Sequence, residues 1–186
     1  RLEENQFSGH IPAELGNLDR LVIVYMQHNQ LTGEIPRDLG QLINVNDLRL
    51  NNNRLTGNIP PELGRLTNLT KLYLGNNQLI GRIPEELDGL VVVEEMSLEN
   101  NMLSGSVPSG LNNLARIWYL NLGNNRLTGA LPANLGMLPE LYSLSLQNNA
   151  LEGRVPDSLC YLQELTVLNL NHNKFIAFPS INDCIT

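Results

Sequence analysis

The stretch from Leu72 to Pro84, LYLGNNQLIGRIP, decides the fold, because residues 120–132 repeat its pattern as LNLGNNRLTGALP. The second Asn of each stretch belongs to a series that recurs every 24 residues without an insertion. Self-similarity at a fixed period of this length is the signature of a repeat architecture. The series sets the repeat frame of the chain: Asn5, Asn29, Asn53, Asn77, Asn101, Asn125, Asn149 and Asn173.

Other residue types keep the same frame. Leu and Asn fill 63 of the 186 positions, a bias that a repeat explains. Gly stands four residues after the Asn in seven of the repeats, and Pro stands seven residues after it, for example Gly81 and Pro84. Two apolar columns two residues apart, such as Leu72 and Leu74, precede each Asn, and this spacing predicts one short strand per repeat near residues 23–27 and every 24 residues after.

These columns predict a solenoid in which each repeat makes one turn. Leu side chains that point inward are buried only when the next turn stacks on them, so no turn is stable alone. An Asn at each bend suits a buried position, because its amide both donates to and accepts from neighbouring backbone groups. We therefore predict that the Asn column is structural.

The repeated pattern resembles the leucine-rich repeat family and, more narrowly, its plant-type subclass, LxxLxxLxLxxNxLxGxIPxxLGxLxx. The resemblance implies an α/β solenoid: a right-handed superhelix of about eight 24-residue repeats. It also implies a parallel β-sheet on the concave face, and 3-10 and short strand segments on the convex side. We expect a single domain over residues 1–186.

The two ends depart from the pattern. Ala177, Ser180 and Asp183 replace the Gly, Pro and Leu of the other repeats. The chain begins inside a repeat, and the cysteine-paired caps usual in plant receptors are not visible in it. From these departures we expect an internal piece of a longer polypeptide, with Leu2 and Phe7 forming an uncovered apolar end.

Charge and composition exclude several function classes. A net charge of -7 argues against a nucleic-acid partner, because nucleic-acid binding needs a basic surface. No apolar run approaches the ~18 residues needed to span a bilayer, so we predict no direct membrane insertion in this segment. His28 and His172 share a column six repeats apart, too far for a common metal or substrate, and no catalytic motif is present. We predict a non-enzymatic protein without cofactor or metal.

Cys160 and Cys184 occupy the same column in adjacent turns, within the distance that a disulfide requires, and the sequence leaves open whether they are bonded or reduced. Asn68-Leu-Thr70 is the one glycosylation sequon with Ser or Thr. It gives slight support to an extracellular or cell-surface location. An intracellular or organellar complex is the alternative.

Residues between the Leu columns are expected to point out of the concave sheet, where a ligand would bind. The N-terminal strands carry aromatic residues and both signs of charge, whereas the C-terminal strands carry mainly Asn, Ser and Gln. Aromatic residues and Arg are enriched at binding hot spots. The predicted binding residues are Tyr25, Arg49, Lys71, Tyr73, Glu95, Glu99 and Tyr119.

The resemblance implies a recognition module similar to the ectodomains of plant receptor-like kinases and receptor-like proteins. The partner would be a protein or peptide ligand, a co-receptor or a neighbouring subunit, bound through the N-terminal half of the concave face. We expect Arg49 to hold a ligand carboxylate. Two alternatives stay open: a structural scaffold or linker subunit of a larger complex, and an inhibitor of cell-wall enzymes of the polygalacturonase-inhibiting type.

Overall fold

A computed structural model of the chain describes residues 1–179, which form a solenoid of short strands and single 3-10 turns. No α-helix occurs in this range. The strands are β1 Ser8–His10, β2 Ile23–Tyr25, β3 Gln30–Glu34, β4 Asp47–Arg49, β5 Arg54–Thr56, β6 Lys71–Tyr73, β7 Ile80–Arg82, β8 Glu95–Ser97, β9 Met102–Gly105, β10 Tyr119–Asn121, β11 Arg126–Gly129, β12 Ser143–Ser145, β13 Ala150–Arg154, β14 Val167–Asn169 and β15 Lys174–Ala177.

The even-numbered strands form one parallel sheet of seven strands in chain order, and its solvent side is the concave face. Each strand pairs with the residues 24 positions further on, so Leu48 lies opposite Leu72 and Leu72 opposite Met96. The predicted solenoid is confirmed. The strands span three residues rather than the predicted five, but backbone bonds continue beyond them, as in Leu74 N to Ser97 O at 2.8 Å.

The odd-numbered strands line the other side of the solenoid in two parallel sheets. The first contains β1, β3 and β5, and the second runs from β7 to β15. A single bridge between Asn58 and Ile80 connects them. The last pairing, β13 with β15, shifts register beyond Gly153, where the sequence pattern also departs from the frame.

A 3-10 segment follows the Pro column in each turn. Six of these segments begin directly after a Pro whose φ lies between −60° and −66°, an extended conformation that the pyrrolidine ring favours. The segments within residues 1–179 are Ala13–Asn17, Arg37–Gln41, Pro61–Arg65, Glu85–Gly89, Ser109–Asn113, Leu135–Met137 and Asp157–Tyr161.

The apolar columns form one continuous core along the solenoid axis. Leu48, Leu72 and Leu120 are at most 1% exposed, because turns on both sides cover them. Burial decreases towards the ends: Leu168, in the same column, is 37% exposed. Leu2 and Phe7 are exposed at the first turn, as expected from the sequence. The core is therefore built by the stacking of adjacent turns.

The Asn column joins each turn to the preceding one, and its members Asn53, Asn101 and Asn125 are buried. Asn101 donates through Nδ2 to the carbonyls of Leu74, Leu98 and Glu99, and its Oδ1 accepts from the backbone N–H of Leu79 at 3.0 Å. The residue before the Asn takes a left-handed conformation in each turn, for example Asn100 with φ 54°. Asn tolerates this region better than most residues, which explains the frequent Asn-Asn pairs.

The glycines four residues after the Asn column adopt a backbone conformation with positive φ. Gly81 has φ +76°, a region that L side chains rarely adopt, and the six other glycines of that column share this sign. A second Gly column permits close approach of adjacent turns: a Cβ at Gly64 would overlap the backbone carbonyl of Glu86. No helix in the described part of the chain has the length and apolar character needed to cross a membrane.

Candidate functional site

The first part of the concave face is a network of side chains from four consecutive turns. Asp47 lies at its N-terminal side and is only 7% exposed. Its carboxylate accepts from Tyr25 Oη at 2.6 Å and from Arg49 Nε and Nη2, each at 2.9 Å. The bidentate pair is the strong form of an Arg–carboxylate contact. The carboxylate is thus saturated by groups of its own chain.

Two tyrosine rings flank the Arg49 guanidinium. Its central carbon lies 4.7 Å from the ring centroid of Tyr25 and 5.2 Å from that of Tyr73. Both distances fall within the range of a cation–π contact. The hydrogen bond to Asp47 raises the pKa of Arg49, and the same partner raises the pKa of Tyr25. Arg49 is therefore a fixed cation between two aromatic rings.

A second acid–tyrosine–cation group follows on the next two turns. Glu95 is buried and accepts from Lys71 Nζ at 2.6 Å and from the hydroxyl of Tyr73. Burial, and then the hydrogen bond to Glu95, raises the pKa of Tyr73. In both groups the tyrosine hydroxyl donates a hydrogen bond to an acid 22 residues later in the sequence.

Glu99 ends the network and differs from the other two acids. Its carboxylate accepts from the hydroxyl of Ser97, and no basic side chain among residues 1–179 forms an ion pair with it. The carboxylate leans over Gly75 of the preceding turn, where a Cβ would lie 2.5 Å from Oε1. Glu99 is thus a half-buried acid without a cation, above a position that has no side chain.

Beyond Glu99 the concave face changes character. Tyr119 is half-buried, accepts from the amide of Asn121 at 3.2 Å, and its ring centroid lies 5.9 Å from that of the exposed Trp118. The later strands present the small side chains of Ser145 and Asn169. The asymmetry expected from the sequence is therefore present in the side-chain contacts.

The structure places the predicted binding residues on consecutive turns of the concave face and joins five of them directly. Tyr25, Arg49 and Tyr73 form one stack, and Lys71 and Glu95 adjoin it through Tyr73. Glu99 and Tyr119 lie further along the same sheet, outside these bonds. The full set is Tyr25, Arg49, Lys71, Tyr73, Glu95, Glu99 and Tyr119.

Two expectations about this surface need correction. Residues between the Leu columns do not all face solvent, since Glu95 is only 8% exposed beneath Lys71 and Tyr73. Arg49 was expected to hold a ligand carboxylate, but it already holds that of Asp47. Sequence reasoning missed Asp47 as a site residue because it looked like a variable, solvated position. The signal that identifies it is its place 22 residues after Tyr25.

The remaining candidate residues lie away from the concave network. Asn68 is exposed, as a glycan acceptor must be, and its amide donates to the carbonyl of Ile43 at 2.9 Å. Cys160 is disulfide-bonded, whereas Cys184 lies outside the described residues, so the Cys160–Cys184 pairing stays a prediction. Within residues 1–179, no group of three or more His, Cys, Asp or Glu side chains has the arrangement of a metal site.

Sequence models of leucine-rich repeats match most of the chain. A model described as two copies of the repeat matches residues 43–90, a second matches residues 115–175, and a third matches residues 20–42 and 93–114. No curated protein sequence gives a significant match. Together the models cover residues 20–175 except residues 91 and 92, a range that contains strands β2 to β14.

Solved structures of plant receptor ectodomains are similar to the chain over almost its whole length. The ectodomain of GASSHO1/SCHENGEN3 from Arabidopsis thaliana, solved with CASPARIAN STRIP INTEGRITY FACTOR 2, is 40% identical over 97% of this chain with a TM-score of 0.94. The Arabidopsis HAESA ectodomain with an extended IDA peptide hormone is 40% identical over 92%, with a TM-score of 0.87. HAESA with IDA and the co-receptor SERK1 matches at 31% identity over 92%, with a TM-score of 0.81. The chain spans 22%, 29% and 33% of these three structures.

Proposed function

Because the chain belongs to the leucine-rich repeat family, in its plant type, we propose that it is a non-enzymatic recognition module for a peptide or protein ligand. The ligand contacts the N-terminal half of the concave face, from Tyr25 to Tyr119. The HAESA ectodomain named above was solved with a peptide hormone, and in one structure also with a co-receptor, which supports this class of partner.

The observation that carries the proposal is the preorganised stack of Tyr25, Arg49 and Tyr73. Buried acids fix the cation and both hydroxyls before any ligand arrives. Tyr side chains offer large contact area at a low entropic cost, and side chains that are already ordered reduce that cost further. The C-terminal strands offer no comparable group of aromatic and charged side chains.

A photocrosslinking experiment tests where a ligand binds. Peptides selected on the protein from a random library are exposed to two variants, which carry a photoreactive phenylalanine analogue at position 119 or at position 161. Tyr119 lies on the concave face, and the exposed Tyr161 lies on the return side in the segment Asp157–Tyr161. We expect crosslinks at position 119 and not at position 161. Equal labelling of both positions contradicts binding at the concave face.

The same proposal places the domain at the cell surface or outside the cell, where the receptors with similar ectodomains act. If no peptide from the library binds the protein, the scaffold alternative is favoured, because a structural spacer does not need a ligand-binding surface. Inhibition of a polygalacturonase by the purified protein favours the inhibitor alternative. Each result selects a different partner class for the same solenoid.

A further inference from the structure

We propose that the concave site selects a positively charged group on its ligand, an ammonium or guanidinium, and that this group binds at Glu99, whose carboxylate lies over Gly75. The inference rests on the proposed function, because it names the ligand chemistry of that same surface. This charge preference is opposite to the expectation from the sequence, in which Arg49 holds a ligand carboxylate.

Two cations of this surface are already neutralised by acids of the same chain. Arg49 is paired with Asp47 at 2.9 Å, and Lys71 is paired with Glu95 at 2.6 Å. A ligand carboxylate that approaches either cation also approaches the acid that neutralises it, so the attraction is weaker than at an unpaired cation. Arg49 and Lys71 therefore offer an anion little net positive charge.

Glu99 differs from Asp47 and Glu95 because no cation of the described residues neutralises it. It carries a negative charge, and its described hydrogen bond is donated by the Ser97 hydroxyl. No Lys or Arg among the described residues pairs with it. A ligand cation thus gains a charge-assisted hydrogen bond here without breaking an existing ion pair.

The column that contains Glu99 also contains Gln27, Asn51 and Gln147, whose side-chain oxygens are buried without a hydrogen-bond partner in the structure. Gly75 belongs to the same column, and its missing side chain leaves the room that the Glu99 carboxylate uses. A guanidinium bound at Glu99 supplies several donors in a fixed plane.

The overall charge acts in the same direction. The chain carries a net charge of -7, so its field attracts a cationic ligand and repels an anionic one at low salt. This effect changes mainly the rate of association, whereas the contact at Glu99 changes the lifetime of the complex.

Three matched sets of short random peptides test the inference. All peptides are acetylated and amidated at their ends and have the same length, and each carries one Arg, one Gln or one Glu in an otherwise uncharged sequence. We expect the Arg set to bind about tenfold more tightly than the Gln set, as one charge-assisted hydrogen bond allows. This preference should be lost in Glu99→Gln, whose amide oxygen still accepts from Ser97.

The control variant is Glu152→Gln, which makes the same change of charge at an exposed position of β13 on the other side of the solenoid. It should keep the Arg preference, which separates a contact at Glu99 from a general effect of net charge. Unfolding midpoints of both variants establish that each is folded.

The outcomes separate the inference from the proposed function. If peptides bind and label position 119 but the Glu set is preferred, or the sets bind equally, the inference is wrong and the proposed function stands. If Glu99→Gln retains the full Arg preference, Glu99 is not the cation site and the inference is again wrong. If no set binds, the proposed function fails and the inference fails with it.

Discussion

The replacement Asn101→Ala tests the structural role that the sequence assigns to the Asn column. Asn101 makes four hydrogen bonds, and its backbone is not in the left-handed region, so Ala introduces no strain there. The loss of stability on truncation depends on which of the groups bonded to Asn101 keep another hydrogen-bond partner. The three carbonyls keep one, whereas the one N–H does not.

Each carbonyl that Asn101 contacts keeps a second donor. The carbonyl of Leu74 also accepts from the amide of Asn77, and that of Leu98 also accepts from the amide of Asn125. The carbonyl of Glu99 accepts from a backbone N–H of the preceding turn. The truncation therefore does not leave these oxygens without a partner.

The backbone N–H of Leu79 has no such reserve, since its described acceptor is Asn101 Oδ1. Leu79 is fully buried, so the N–H is left without a partner and without water, at a cost of about 1 to 3 kcal/mol. Loss of the three weaker carbonyl contacts adds to this figure. We expect Asn101→Ala to lower the free energy of unfolding by about 2 to 3 kcal/mol.

Asn29→Ala is the matched control, because it changes the same column where the partner N–H belongs to the exposed Phe7. Water can replace the side chain there, and we expect a loss below about 1 kcal/mol. Urea unfolding followed by circular dichroism measures both changes, and hydrogen exchange at the Leu79 amide locates the first. Equal stability of the two variants, with undiminished protection of that amide, refutes the reasoning.

Three further predictions concern packing and titration. Leu72→Ala, at a fully buried position, should lower the free energy of unfolding in urea by about 2 to 5 kcal/mol. Leu168→Ala should lower it clearly less, because Leu168 is 37% exposed in the same column. Equal losses for the two variants would contradict a core built by stacked turns. Gly64→Ala should lower the free energy of unfolding by about 1 to 3 kcal/mol, because the new Cβ would overlap a backbone carbonyl. Gly75→Ala should lower it less, because its Cβ would contact the end of a flexible side chain. A larger loss for Gly75→Ala than for Gly64→Ala would contradict this reasoning. Because folding raises the pKa of Tyr73, the stability that its protonated hydroxyl contributes is fully present below the unfolded pKa of 10.0 and is lost as pH rises through the folded pKa. In urea unfolding curves at alkaline pH, Tyr73→Phe should therefore lose less stability with rising pH than the parent protein does.

The fold was predictable because its determinants repeat. The Asn at position 101 and the Gly at position 81 have the same neighbours in almost every turn, so a column of one residue type shows what the backbone requires there. The left-handed residue before each Asn was missed, although the recurrent Asn-Asn pair was its signal. Strand length was overestimated because apolar spacing does not mark where pairing ends.

The candidate site was predictable only in part, because it is built from residues that do not repeat. Alternation along a strand places Tyr25 and Glu95 on the concave side, but it does not show whether neighbours cover them. Burial of Glu95 depends on Lys71 and Tyr73 of the preceding turn, and pairing of Arg49 depends on an acid two residues before it in the same strand. Such contacts are visible in sequence only when complementary residues are compared at separations of 2, 22 and 24.

These cross-turn contacts also determine what a ligand can gain from each half of the concave face. In the N-terminal half, the hydroxyl of Tyr73 is bonded to Glu95 and its ring lies against Arg49, so binding orders little that is not already ordered. Ser145 and Asn169 have side chains too small to provide comparable contact area, however well they are positioned. We therefore predict that affinity depends on the aromatic half, and that selectivity for charge depends on Glu99, which forms no ion pair with a basic side chain of the described residues.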